Sequence, residues 1–388
     1  MTSPLDWIDD ALAKLRQEHL LRELVVRETP QSAMVRINGR DIVNFSANDY
    51  LGLAAEPSLG ESVRRAIQTE GWGAGASPLV TGRGTLHAKL EQALASFEGT
   101  EAALLFPSGF AANAGTIPAL VRQGDVVLSD QKNHASIIDG CRLSRAEVRV
   151  YPHVDVDALA RELSDVSGAS RRLIVTDGLF SMDGDLAPLA DICQLADAHH
   201  AMVLVDEAHA TGVFGDRGRG ICEFLEVESR VDIRIGTLSK ALGTMGAFVA
   251  GRRPLIDWLA NRARPYVFST AAPSALCAAG MKALEIVEQE PHRRERLLSR
   301  ASDLRDQLAA LKLNFGNSSS QIIPIVLGDP RRTIAMSKWL NQRGFHVPGI
   351  RPPTVPQGQS QLRISLSYNH LPAMTDRLVE TLAAYRES

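Results

Sequence analysis

The stretch LIVTDGLFSMDGDLAPLADICQLADAHHAMVLVDEAH, residues 173–209, decides the fold. Two short runs rich in branched apolar residues, LIVTD and MVLVD, flank the segment LAPLADICQLADAHH, whose apolar positions recur at helical spacing. Strand, helix and strand in this order make a crossover unit, with the two strands parallel and buried on both faces. Each strand ends on an aspartate, Asp177 and Asp206, and runs into a polar loop. In a sheet of this class the functional groups gather at those carboxyl ends.

The same alternation extends outward from this unit. Helix LHAKLEQALASFEG precedes strand AALLF and the turn PSGF, which opens helix AANAGTIPAL. Strand DVVLSD leads to NHASIIDGCRLS, strand VRVYP to helix VDALARELS, and strand VDIRIG to TLSK. The pattern predicts an α/β fold over residues 53–290, a large, mostly parallel sheet with helices on both faces. Residues 1–52 read as an arm. It begins with an amphipathic helix from Pro4 to about Val26, with Leu5, Ile8, Leu12, Leu15 and Leu20 on one side. A hairpin, AMVRINGRDIVNF, follows and turns at Asn38-Gly39, a pair suited to the positive φ angles of a type I′ turn. Pro291 and the charged run HRRERLLSR mark a boundary, and residues 291–388 read as a small α+β domain.

With 388 residues, 45% hydrophobic and 22% charged, the chain has material for a large core and is not broadly disordered. A formal net charge of −3 gives no general basic field for nucleic acid or an anionic membrane, while leaving room for a local basic pocket. MTSPLDWIDD lacks the basic and apolar regions of a secretory signal, and no apolar run is long enough for a membrane span. Cys141, Cys193, Cys222 and Cys277 are scattered without a CxxC pair, which fits a reducing cytoplasm and offers no zinc site.

The chemistry centres on Lys240, in GTLSKALGTMGAFVAG at 236–251. Hydroxyls precede it, and Ala241, Leu242 and Gly243 follow. Partial dehydration favours a neutral amine able to attack a carbonyl and form a Schiff base, although this window alone also fits an ordinary solvated lysine. Asp206 stands at the tip of a buried strand, where a carboxylate can cap a helix or face a cationic ring nitrogen, and His209 follows three residues on. SGFAAN, at 108–113, sets small residues at a helix N-terminus, where free N–H groups favour phosphate. His134 follows a strand and can lie flat on a ring. An amine, a carboxylate, a phosphate cradle and a flat imidazole at strand ends are together what pyridoxal phosphate requires. Competing motifs fail. The glycines at 71, 73 and 75 follow a helix and so lack the dinucleotide context; DEAH at 206–209 has no Gly-Lys phosphate loop beside it; and Asp206, Glu207 and His209 have no clustered metal-ligand partner.

With NDYLG at 48–52, SGFAAN at 108–113, NHASIIDG at 133–140, FSMDGD at 180–185, VDEAH at 205–209, TLSKALG at 237–243 and RPPTVP at 351–356, the chain resembles the α-oxoamine synthases, a family of fold-type I pyridoxal phosphate enzymes, nearly end to end. The resemblance implies that Lys240, His134 and Asp206 are catalytic: Lys240 as the Schiff-base lysine, Asp206 as partner of the ring nitrogen and His134 as the stacking residue. It further implies that Ser181 and His209 contact the ring hydroxyl side, that Gly109, Phe110 and Thr237 contact the coenzyme and its phosphate, and that Arg351, with Arg22, Asn48 and Thr354, binds substrate. RPPTVP points to the members that join L-alanine to pimeloyl-CoA or a pimeloyl carrier protein in biotin synthesis. NHASIIDG and VTDGLFSMDG also resemble the members that join glycine to a short acyl-CoA, and Asp177 stands where glutamate is more often expected. Family members are cytoplasmic homodimers with sites at the subunit interface, and neither nucleic acid, membrane nor metal is implied.

Overall fold

Runs of apolar residues form the interior parallel strands of the central sheet, whereas the edge strand Glu147–Tyr151 alternates and is largely exposed. The computed structural model describes residues 3–385. In chain order its strands are β1 (Met34–Ile37), β2 (Arg40–Asn44), β3 (Ala102–Phe106), β4 (Val126–Asp130), β5 (Glu147–Tyr151), β6 (Arg172–Asp177), β7 (Met202–Asp206), β8 (Ile233–Thr237), β9 (Ala247–Gly251), β10 (Ile322–Gly328), β11 (Phe345–His346), β12 (Gly349–Ile350) and β13 (Ser360–Ser365). The chain divides into two compact units. The larger holds Leu51–Ser181 and Asp185–Glu295; the smaller holds Met1–Tyr50, Met182–Gly184 and Arg296–Ser388.

The larger unit is built on a seven-stranded sheet of order β3-β9-β8-β7-β6-β4-β5. Strands β5, β4, β6, β7 and β8 are parallel in succession, and β9 runs antiparallel to both β8 and β3. Strand β9 is absent from the sequence reading, in which AFVAG passed as the tail of the lysine segment. Val127, Leu173, Val175, Leu204, Ile235 and Val249 are buried in one cluster, with Ala112 and Ile117 of the helix Gly109–Leu120 packed in the same cluster. Each such side chain contributes roughly 1.5–3 kcal/mol when withdrawn from water.

A buried cation lies among the charged groups of this unit. Arg234 of β8 is 4% exposed, lies 3.2 Å from Glu98 Oε2 and 3.0 Å from Glu228 Oε1, and donates to the Glu98 carbonyl at 2.7 Å. Burial pushes the Glu98 carboxyl up to about 8, against the pull of the arginine. Removing the guanidinium takes away the charge partner of Glu98 and Glu228 and the donor to the Glu98 carbonyl, so Arg234→Leu is expected to lower the unfolding free energy by about 3 kcal/mol. Urea denaturation reads this directly, and an unchanged midpoint contradicts it.

In the smaller unit the hairpin forms as its sequence predicts. Strands β1 and β2 pair antiparallel around Asn38 (φ 51°) and Gly39 (φ 70°), and β11 adds to β2 in parallel. A second sheet has the order β10-β13-β12. The N-terminal helix spans only Trp7–Gln17, well short of Val26, and none of its residues is buried. His19 takes a left-handed φ of 58°, and the N–H groups of Leu20 and Leu21 both bond back to the Leu15 carbonyl, closing the helix. Beyond it Leu24, Val25 and Val26 are exposed, so no buried face favours helix over extended chain there.

Candidate active site

The site of the larger unit starts from a buried carboxylate. Asp206, 4% exposed at the end of β7, accepts a hydrogen bond from Asn113 Nδ2 at 2.6 Å on one oxygen and from the Ala208 N–H at 2.9 Å on the other. Asn113 Nδ2 also donates to Ser136 Oγ at 3.0 Å, and Ser136 Oγ meets His134 Nδ1 at 2.7 Å. A continuous chain of polar contacts therefore runs from Asp206 to the imidazole. The loop after β4 is fixed by Asp177, whose Oδ2 accepts the His134 N–H at 2.7 Å and whose own N–H donates to Asn133 Oδ1 at 2.9 Å.

The electrostatics separate these groups. Asp177 and Asp206 sit side by side in register on β6 and β7. Burial, and then the neighbouring Asp206 charge, raise the Asp177 carboxyl well above the usual range. The crowded surroundings of His134 lower its pKa, Lys240 adds to the effect and Asp206 opposes it, so the imidazole is neutral near pH 7. His134 as a whole residue nonetheless remains exposed.

Lys240 is half-buried in the loop that joins β8 to β9. That loop is closed by Leu238 N–H to Gly246 O at 2.9 Å, Thr244 N–H to Leu238 O at 2.9 Å and Gly243 N–H to Lys240 O at 3.0 Å. Gly243 has φ 64°, and a Cβ there would meet the backbone of Leu53 and Ala54 at about 2.4 Å, so no other residue fits. Thr237 Oγ1 contacts Ser239 Oγ at 2.8 Å and donates to Gly246 O at 2.9 Å. At the start of the helix Gly109–Leu120, Ser108 caps the Ala111 N–H, a Cβ on Gly109 would meet nothing within 4 Å, and Phe110 is exposed. Backbone donors at the positive end of this helix thus stand with open space beside them. His209 is buried in the turn after β7, and Ser181 is half-buried just past β6.

The donor set fits pyridoxal phosphate: a carboxylate held by neutral donors for a ring nitrogen, a neutral imidazole on an exposed residue, an amine on a rigid loop and a helix N-terminus for phosphate. Of the residues expected from sequence, Lys240, Asp206 and His134 lie within one another's electrostatic reach. Asn113 and Ser136, inside two of the quoted motifs, have positioning parts that the sequence reading did not assign. Among the described residues there is no cluster of metal-ligating side chains, and no helix is long and apolar enough to cross a membrane.

The smaller unit holds the residues expected at the substrate. Arg22 Nη2 donates to Thr354 Oγ1 at 2.8 Å. Arg351 donates to the main-chain carbonyls of His19 and Leu21. Asn48 Oδ1 accepts from Tyr50 at 3.2 Å and from both terminal nitrogens of Arg363 at 3.4 Å. Arg363 is buried on β13 and was not singled out from sequence; a lone cation among the apolar residues of LRISLS was its signal.

Fold and site together define a pyridoxal phosphate enzyme of fold type I. The sequence profile of Aminotransferase class I and II matches residues 40–382. The 8-amino-7-oxononanoate synthase of Anaeromyxobacter sp. strain Fw109-5 is 51% identical over 98% of this chain and 96% of its own length. That of Anaeromyxobacter dehalogenans strain 2CP-1 is 49% identical over 98% and 95%. A serine palmitoyltransferase from S. paucimobilis, solved with a PLP–myriocin aldimine, superimposes with a TM-score of 0.93 at 32% identity, covering 98% of this chain and 96% of that one. The chain belongs to the aminotransferase class I and II family and, within it, to the 8-amino-7-oxononanoate synthases.

Asn113→Leu removes the 2.6 Å bond to Asp206 and leaves that carboxylate poorly held. A hydrogen bond to a charged group contributes about 1.5–3 kcal/mol, so pyridoxal phosphate affinity is expected to fall about ten- to a hundredfold. Titration of the coenzyme-free protein, followed by visible absorption, measures it.

Proposed function

We propose that the chain condenses L-alanine with a pimeloyl thioester, pimeloyl-CoA or a pimeloyl carrier protein, releasing carbon dioxide and the thiol and giving 8-amino-7-oxononanoate for biotin synthesis. The observation that carries this reading is the grouping of Lys240, Asp206 and His134 at the carboxyl ends of the parallel strands in a chain about half identical, end to end, to synthases of that name. When bound, pyridoxal phosphate supplies a carbonyl for amines and a cationic ring that draws electrons from the substrate Cα.

The protein supplies the rest. Lys240 Nζ would hold the coenzyme and, as a free amine, would take the substrate Cα proton as general base. Asp206, held by Asn113, keeps the proton on the ring nitrogen. His134 would lie against the ring, and its neutrality would avoid placing a second cation against a cationic ring. Gly109, Phe110 and Thr237 hold the phosphate, while Ser181 and His209 flank the ring hydroxyl.

Arg22, Asn48 and Thr354 line the substrate. For the alanine carboxylate, the burial of Arg363 and its pairing with Asn48 support it over Arg351, whose donors serve main-chain carbonyls. The protein acts as a cytoplasmic homodimer; the exposed Trp72, Leu79, Val80 and Phe268 of the larger unit support burial against a second copy.

Measured across alanine, glycine and serine, CoA release from pimeloyl-CoA is expected with alanine alone; release driven by glycine, with a preference for short acyl-CoA, contradicts the assignment. Lys240→Ala is expected to lower turnover by at least about a thousandfold while leaving the circular dichroism spectrum intact. Arg363→Ala is expected to raise KM for alanine at least about tenfold, and by more than Arg351→Ala does.

A further inference from the structure

A second imidazole, outside the set just described, is locked between charges. His153, just beyond β5, has a side chain only 12% exposed, with Nδ1 at 2.9 Å from Asp130 Oδ1 and Nε2 at 2.9 Å from Asp185 Oδ2. A neutral imidazole donates from one nitrogen only, so two carboxylate partners require the doubly protonated ring. Burial opposes that charge, but the two carboxylates outweigh it and push the pKa up to about 9. The Tyr151 phenol nearby is kept protonated by burial and by Asp130, and Asp177 also feels the Asp130 charge. The edge of the His153 ring meets Phe180 at 4.4 Å between centroids.

The backbone is distorted to reach this arrangement. Val154 has φ 52°, a left-handed conformation costly for a β-branched residue, and its N–H donates to Asp130 Oδ2 at 2.8 Å. The two carboxylates belong to the loops that carry the coenzyme contacts. Asp130 ends β4 and organises the turn to His134, accepting the Lys132 N–H at 2.8 Å on its side chain and the Asn133 N–H at 3.2 Å on its carbonyl. The Asp185 carbonyl accepts the Phe180 N–H at 3.0 Å, next to a bridge between Leu179 and Leu186, at the base of the segment that carries Ser181.

We propose that His153 is a positioning residue: bonded at both ring nitrogens, it ties the β4 turn carrying His134 to the loop after β6 carrying Ser181 and sets how both meet pyridoxal phosphate. The inference rests on the coenzyme reading above. Glutamine at 153 is uncharged and presents both of its N–H donors from one nitrogen, so it cannot hold the two carboxylates from opposite sides as the two ring nitrogens do.

The test is pyridoxal phosphate titration of the coenzyme-free protein as wild type, His153→Gln, Ser181→Ala and the double variant, with the melting temperature of each coenzyme-free form. His153→Gln is expected to weaken binding at least about tenfold and to shift the visible band. In the Ser181→Ala background the same change is expected to weaken binding by only a small further factor, because the two act through one loop. Affinity and band equal to wild type, or full additivity in the double variant, overturn the proposal. If His153→Gln does not fold, Asp185→Asn, which keeps the shape and removes one charge, is expected to weaken binding in the same way, and wild-type affinity in that variant overturns it. Failure of the wild type itself to bind the coenzyme sinks the underlying reading instead.

Discussion

A carboxylate taken out of water at the tip of an apolar strand must be compensated, and the larger unit is arranged around compensating Asp206. Asn113 and the Ala208 N–H hold its two oxygens, and Ser136 carries the contact on to His134. The adjacent Asp177 is pushed toward its protonated form, which spares the site a second negative charge. A carboxylate held by neutral donors in a buried place attracts a cation, and the ring nitrogen of pyridoxal phosphate is one of the right shape. The parallel order of β4, β6, β7 and β8 brings Asp206, Asp177, the His134 turn and the approach to Lys240 to one edge without long excursions of chain.

Stiffness at that edge comes from different devices. The lysine is carried by a closed loop between antiparallel strands, and the fit of Gly243 against the backbone of Leu53 and Ala54 leaves that loop little freedom. The imidazole is carried by a turn bonded to Asp177 on one side and, through Asp130, to His153 on the other. Preorganisation of this kind lets a cofactor's reactive atoms be positioned without ordering loops at each turnover.

Much of this was legible in the sequence, for identifiable reasons. LIVTD and MVLVD are short, β-branched apolar runs bounded by polar loops, the pattern of buried strands, and Lys240, Asp206 and His134 carry chemistry that few other residue types supply. AFVAG gave no comparable signal: it is short and glycine-flanked, and its strand character depends on pairing with β3 and β8. The predicted helix overshot because apolar spacing continues past His19, whereas the backbone turns left-handed there. Asn113 and His153 act across long sequence separations, 93 residues to Asp206 for one and 23 and 32 to its two aspartates for the other, and no local pattern encodes such pairings. Arg363 gives only the weak signal of a lone cation in LRISLS, because its burial among apolar residues is a property of the folded β13.

The central claim is that one amine, presented by the β8–β9 loop, anchors the coenzyme. Borohydride reduction of the coenzyme-loaded protein, followed by proteolysis and mass mapping, tests it most directly. The trapped coenzyme is expected on the peptide containing Lys240 and nowhere else; its recovery on any other lysine, or on none, contradicts the account.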